Sequence, residues 1–281
     1  MSTKMKTEIH LKINAYILNK DPATLLAENS ELTRGQIKQA MDKGAVWLEH
    51  GKNVKRLRRV KSALKVGNTL HLYYDPEILE QEAKLTTLIS DESSYSIWFK
   101  PAGMFSQGSK WSDHCTITRA AEKQLKQNVY AVHRLDRATS GLMIIAHSKK
   151  IAAELSRMFA DREIDKTYHA VVAGDFSDRE LPLRIDQELD GKQAITVITK
   201  ILDQDESSST LEVKIETGRK HQIRQHLALI GFPALGDRLY ADDASVDLQL
   251  TAFQLDFICP VEHRPKRWSL SSVSELRRLH R

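Results

Sequence analysis

The chain is expected to fold as α+β, with a mixed, mainly antiparallel sheet and flanking helices, preceded by a small α/β domain. Two observations predict this. From about residue 94 onward, strand-like runs interleave with helical runs but form few clean strand–helix–strand units, which argues against a doubly wound parallel sheet. Before that the pattern is helix, helix, then short strands, and 281 residues suffice for one large domain and one small one.

Asp21-Pro22 sets a capping carboxylate before a proline at the first helical position and opens a helix to about Ala27. Thr33 and Gln36 have the capping-box spacing. The helix they open ends at Gly44, which takes the left-handed conformation beyond a helix end without steric cost. AVWL (45–48) and TLHLYY (69–74) read as strands, with HGKN (50–53) as a turn. Residues 76–93 read as a linker that becomes the first strand of the next domain, which divides the chain into 1–84 and 85–281.

In the longer segment SIWF (96–99) is a strand stopped by the turn Lys100-Pro101-Ala102-Gly103, and TRAAEKQLKQ (118–127) is helical. NVYAVH leads into a loop, after which GLMIIA (141–146) resumes an apolar strand. Ser148 caps the next helix, whose Ile151, Leu155 and Phe159 share one face. KTYHAVVAG, QAITVITKI and STLEVKIE are strand-like by β-branched content and alternation, and HQIRQHLALI is a helix that stops at Gly231.

Hydrophobic residues make up 41% and charged residues 28%, ordinary for a globular protein. No apolar run approaches the ~20 residues of a membrane helix, and the N-terminal stretch lacks a signal peptide's compact apolar core. Cys115 and Cys259 cannot build a disulfide framework, and no CxxC offers a zinc site. The expectation is a cytoplasmic protein without a structural metal, with a monomer as the default state. Charge is unevenly spread: residues 1–84 hold 15 Lys/Arg against 10 Asp/Glu, and the rest is neutral overall. From Lys52 to Lys65 seven cations occur without an acidic residue. Such a patch suits a polyanion, because each neutralised phosphate releases counterions; a solvated basic face with no partner is the plainer reading.

Two segments concentrate chemistry. His133-Arg134-Leu135-Asp136-Arg137-Ala138-Thr139-Ser140-Gly141 lies between two apolar strands and crowds titratable and hydroxyl side chains into one loop at the end of a sheet. It is either a reactive loop or a polar connection in which Asp136 caps a neighbouring backbone. In Thr217-Gly218-Arg219-Lys220-His221-Gln222-Ile223-Arg224-Gln225-His226, Gly218 breaks a strand and a helix begins. Arg219 and Arg224 then sit near an N-terminus that favours anions, suited to holding a phosphate or carboxylate. His221 and His226 are five apart and do not share a helix face as a metal-binding pair would, so both read as structural histidines.

HRLDRATSG resembles the HRLD-x-x-TSG signature of the RluA-type pseudouridine synthases. The resemblance continues upstream in KPAGMFSQG and downstream through Lys166-Thr167-Tyr168, TGRKHQIRQHLA and GDRLYA, in the right order from about residue 95 to 258. Lys220 stands where that family usually has Thr or Ser, and Ala241 where it usually has Gly. The first domain is similar to the small RNA-binding domain typified by a small-subunit ribosomal protein, through TRGQIKQAMDKGAVWLEHGK and VGNTLHLYY.

This resemblance implies a cofactor-free isomerase that converts uridine to pseudouridine in rRNA or tRNA by base flipping. Asp136 would be the essential carboxylate, as nucleophile at the anomeric carbon or as base on the sugar, with Arg224 as the cation that keeps it ionised. Tyr168 would stack on the flipped uracil, with assistance to proton removal from carbon 5 as a further role. Arg134 would fill the space vacated by the base, His133 would support the loop, and Lys38, Arg56, Arg58 and Arg59 would contact RNA phosphates. One alternative is an inactive RNA-binding protein that keeps the synthase fold. A hydrolase using Ser140, His133 and Asp136 is disfavoured, because the three fall in one short loop without a nucleophile elbow.

Overall fold

The Asp21 carboxylate accepts hydrogen bonds from the Ala23 and Thr24 amides and caps α1 (Pro22–Glu28). Thr33 and Gln36 form a reciprocal capping box at α2 (Arg34–Asp42). These are features of a computed structural model that describes residues 6–270; the first five residues and the outer ends of the 1–84 and 85–281 segments lie outside it. The helices cover one face of an antiparallel sheet of β1 (Thr7–Lys12), β2 (Val46–His50), β3 (Asn53–Arg56) and β4 (Thr69–Tyr74), in the order β1-β4-β2-β3. Leu25, Leu26, Ile37 and Met41 from the helices and Val46, Leu70 and Leu72 from the strands form its core, all fully buried. A short helix, α3 (Pro76–Leu79), stands where the sequence reads as linker; Asp75 caps it and Pro76 occupies its first turn, as at α1.

The described residues divide into two compact units. One takes the residues up to Ala83 together with Gln107–Ala120; the other takes Lys84–Ser106 and the residues from Ala121 onward. Gln107–Ala120 belongs by sequence to the longer segment, and polar contacts within the first unit account for its placement. Arg56 Nε lies 3.0 Å from the Asp113 carboxylate, Arg58 also binds that carboxylate, and Trp47 Nε1 donates to the Lys110 carbonyl at 2.9 Å.

The second unit is built on one large sheet. In chain order its strands are β5 (Thr87–Asp91), β6 (Tyr95–Lys100), β7 (Tyr130–Ala131), β8 (Ser140–Ala146), β9 (Asp165–Ala173), β10 (Leu183–Asp186), β11 (Ile195–Gln204), β12 (Ser208–Ile215), β13 (Leu250–Ile258) and β14 (Pro265–Ser269). The helices in this stretch are α4 (Ile117–Leu125), α5 (Lys149–Ala160) and α6 (Gln222–Leu229). The sheet order is β10-β11-β12-β9-β13-β8-β6-β5, with β14 on β13 and β7 on β8. Every pairing is antiparallel except β13 with β8, so the mixed, mainly antiparallel sheet expected from the sequence is borne out. Ser148 caps α5, which buries Leu155 and Met158 against Ile97, Leu142, Ile144 and Phe257.

The single parallel pairing joins Thr251 to Ser140 and Ala252 to Gly141, where the His133–Gly141 loop enters β8. Gly141 has φ +123, and a Cβ there would lie 2.3 Å from the Ala252 carbonyl oxygen, so only glycine lets the two backbones meet.

Candidate active site

The loop between β7 and β8 is fixed from below. Ser106 Oγ donates to the Leu135 carbonyl at 2.6 Å and accepts from the Leu135 amide at 3.0 Å. The Gly103 amide donates to the Arg137 carbonyl at 2.7 Å. Lys100 is fully buried and donates to the carbonyls of Met104, Pro101 and Arg137 at 3.0, 3.2 and 3.3 Å. Burial pushes its ammonium down to about 7, while the nearby Asp136 charge acts in the opposite sense. His133 accepts from the Ile144 amide through Nε2 at 2.9 Å, and its ring stacks on Phe159 with centroids 4.3 Å apart. Burial, with Lys166 nearby, lowers the His133 pKa to about 3, consistent with a neutral ring accepting through Nε2. His133 braces the loop.

Asp136 then projects into a cleft of about 700 Å³ lined also by Arg134, Thr139, Lys166, Tyr168, His221 and Arg224. Its side chain keeps 23% exposure, and its Oδ2 lies 3.9 Å from His221 Nε2. Tyr168, on β9, is 8% exposed. Burial, then the Asp136 charge, drive its phenol pKa well above the ordinary value. A phenol so held keeps its proton and offers the cleft a ring face. Arg134 is exposed at the cleft, and among the described residues no ion-pair partner for it is found.

Arg224 has a direct partner that the sequence did not point to. It is buried on α6, but its guanidinium binds Asp237 rather than Asp136, with Nε to Oδ2 at 2.7 Å and Nη2 to Oδ1 at 2.6 Å. The Asp237 carboxylate also accepts from the Leu239 and Tyr240 amides, which anchors the pair to the backbone. Burial works against the Arg224 charge, but the Asp237 hydrogen bonds and the charges of Asp237 and Asp136 outweigh it and hold the pKa above its ordinary value. Arg224 thus lines the Asp136 cleft as a cation anchored by a second carboxylate.

His221 and Tyr240 complete the site and had no catalytic signal in the sequence. His221 Nδ1 is 2.9 Å from the Tyr240 hydroxyl. His226, by contrast, is buried between Thr196 Oγ1 at 2.9 Å and the Gln187 carbonyl at 3.2 Å, a structural histidine as expected. Ser140 is buried with its hydroxyl 2.8 Å from Thr251 Oγ1, which removes it as a nucleophile. Lys38, Arg56, Arg58 and Arg59 belong to the first unit and do not line this cleft. Arg56 and Arg58 are bound to Asp113, so of these four only Lys38 and Arg59 are exposed.

One cleft thus gathers a carboxylate, an aromatic ring and an anchored guanidinium. The sequence profile of the RNA pseudouridylate synthase family matches residues 94–229. "tRNA pseudouridine synthase C" of Vibrio vulnificus (strain CMCP6) is 34% identical over 168 residues, which span 51% of this chain and 69% of that protein. The protein of the same name in Vibrio cholerae serotype O1 is 32% identical over 201 residues, spanning 59% of this chain and 82% of the other. "Dual-specificity RNA pseudouridine synthase RluA" of Vibrio parahaemolyticus serotype O3:K6 is 32% identical, with 58% and 74% covered. Of solved structures, "Human RNA Pseudouridylate Synthase Domain Containing 1" superposes with a TM-score of 0.57 at 19% identity over 70% of this chain and 95% of that one, a likeness of fold. The chain belongs to the RluA-type RNA pseudouridine synthase family. It is an isomerase of that class.

Proposed function

We propose that this protein isomerises specific uridines of rRNA or tRNA to pseudouridine, with Asp136 as the essential carboxylate acting on a flipped nucleotide. The observation that carries the reading is the convergence of Asp136, the Tyr168 ring and the anchored Arg224 on one cleft of about 700 Å³. The extruded uracil stacks on Tyr168, Arg134 fills the gap left in the RNA, and Asp136 faces the ribose in the cleft that Arg224 also lines. Relatives named for tRNA, and one named for dual specificity on RNA, support an RNA substrate with tRNA as one class.

The first of two domains, 1–84, is read as an RNA-binding domain of the small-subunit ribosomal protein type, ahead of a catalytic domain, 85–281. The excess positive charge of residues 1–84 supports this, and Lys38 and Arg59 are its exposed candidates for phosphate contact. Action on RNA in the cytoplasm, as a monomer, fits the same reading. Among the described residues no helix is long and apolar enough to cross a membrane.

The test is tritium release from carbon 5 of uridine-labelled rRNA and tRNA transcripts. Wild-type protein is expected to release tritium and Asp136→Asn to release none while still binding RNA. Binding without release by both proteins would instead favour the inactive RNA-binding alternative.

A further inference from the structure

His221 occupies the N-cap of α6 in a left-handed conformation, φ 54 and ψ 23, and makes no side-chain capping bond. Helix starts favour Ser, Thr, Asn, Asp or Gly in an extended conformation, and a left-handed backbone suits Gly or Asn far better than His. Neither feature serves the helix. Both turn the imidazole into the cleft, where the side chain is only 15% exposed. Strain of this kind at a cleft points to a functional demand on the side chain.

The ring is held at Nδ1 and faces a carboxylate at Nε2. Tyr240 lies edge-on to it, with its hydroxyl 2.9 Å from Nδ1, and its phenol pKa is raised, first by burial, so it keeps its proton. Nε2 faces the Asp136 carboxylate at 3.9 Å. A lone pair on Nε2 would point at that carboxylate, so the favoured arrangement has Tyr240 donating to Nδ1 and the imidazole proton on Nε2. Burial, opposed by the Asp136 charge, lowers the His221 pKa, consistent with a neutral ring. At 3.9 Å the Nε2–H does not itself reach Asp136 in a hydrogen bond, but a single oxygen can hydrogen-bond both groups.

We propose that His221 is a positioning residue for this reaction: its Nε2–H and the Asp136 carboxylate together hold the ribose 2′-hydroxyl of the target nucleotide. That hydroxyl donates to Asp136 and accepts from His221, so donor and acceptor match on both sides. It sits on the carbon next to the anomeric carbon, and fixing it aims the anomeric centre at the carboxylate. Tyr240 acts through His221 by setting its tautomer. A deoxyribose target leaves both groups unpaired in a desolvated cleft, so the same contact selects ribonucleotides. The inference rests on Asp136 being the carboxylate that faces the ribose.

The test uses the full chain and a transcript on which wild-type protein releases tritium, comparing His221→Gly, His221→Gln, Tyr240→Phe and Asp136→Asn. His221→Gly relieves the left-handed backbone, so its Tm should equal or exceed wild type while kcat falls about 100-fold with KM little changed. His221→Gln places an amide N–H near the former Nε2–H and should recover about 10-fold of that loss. Tyr240→Phe should lower kcat on its own but have no further effect in the His221→Gly background. Wild type should bind the transcript more tightly than one with 2′-deoxyuridine at the target, and His221→Gly should narrow that difference, leaving only the share due to Asp136. Unchanged kcat in a folded His221→Gly, equal loss in Gly and Gln, or undiminished discrimination against the deoxy target would each overturn the proposal. If Asp136→Asn still releases tritium, the reading of Asp136 fails as well; if it is inactive while His221→Gly is fully active, this inference fails alone.

Discussion

A guanidinium as buried as that of Arg224, at 4% exposure, needs a carboxylate in direct contact, and Asp237 supplies it through a bidentate pair to Nε and Nη2. Asp136 is thereby left with an accessible carboxylate, able to meet a ribose instead of a permanent partner. His133 illustrates the opposite strategy, a titratable group kept uncharged so that it can hold backbone. Its pKa falls from 6.5 to about 3 on folding, so between those values the unfolded chain binds more protons than the folded one. The stability it contributes is fully present above pH 6.5 and is lost as the pH falls toward 3, at no more than about 1.4 kcal/mol per pH unit. Urea unfolding across this window should show a shallower decline for His133→Gln, which keeps an acceptor near the Ile144 amide but does not titrate. Equal slopes for the two proteins would mean that His133 does not carry this dependence.

Elements succeed or fail here on how closely backbones approach. β8 can lie beside β13 only because residue 141 has no Cβ, and that junction aims the His133–Gly141 loop. Gly141→Ala should therefore cost more than the ~1 kcal/mol of an ordinary glycine replacement, and should lower activity by shifting Asp136. Gly191→Ala is the control, since its φ is +69 but nothing lies within 4 Å of the added Cβ. If denaturation midpoints of the two variants matched, close packing at Gly141 would not be what shapes the loop. The same scale explains what the sequence disclosed. Capping pairs at α1 and α2, the alternation of β9 and β12 and the HRLD loop are local signals and were legible. α3 used the Asp-Pro signal of α1 but was hidden in a charged, turn-poor stretch. β13 went unread, and its register shift between Ala252 and Gln254 breaks the apolar alternation. The site split the same way: Asp136, Tyr168 and Arg224 came from recognisable segments. The Asp237 clamp and the approach of His221 to Asp136 are contacts between distant segments, and a left-handed His has no sequence signature.

For the molecule as a whole, the chain leaves its first unit after Ala83 and re-enters it for Gln107–Ala120. Deleting residues 1–84 would therefore strip Asp113 of Arg56 and Arg58 and expose the segment that carries it, so a truncation confounds RNA binding with unfolding. Surface charge gives a cleaner handle. Lys38, Arg59, Lys61 and Lys65 are exposed in the first unit and have no ion pair among the described residues, whereas Arg56 and Arg58 are spent internally. Replacing those four with Gln leaves the core untouched, so Tm should hold within a few degrees. If they meet RNA phosphates, each removes roughly 0.7 from the slope of log affinity against log salt on single-stranded RNA, or about 3 in all. Affinity at low salt should fall accordingly, while kcat at saturating RNA stays unchanged because none of the four lines the Asp136 cleft. Filter binding of a tRNA transcript at several salt concentrations measures the slope, and tritium release measures kcat. An unaltered slope would show that the basic surface of the first unit does not carry RNA, and the polyanion would then have to be held by the cations around the cleft itself.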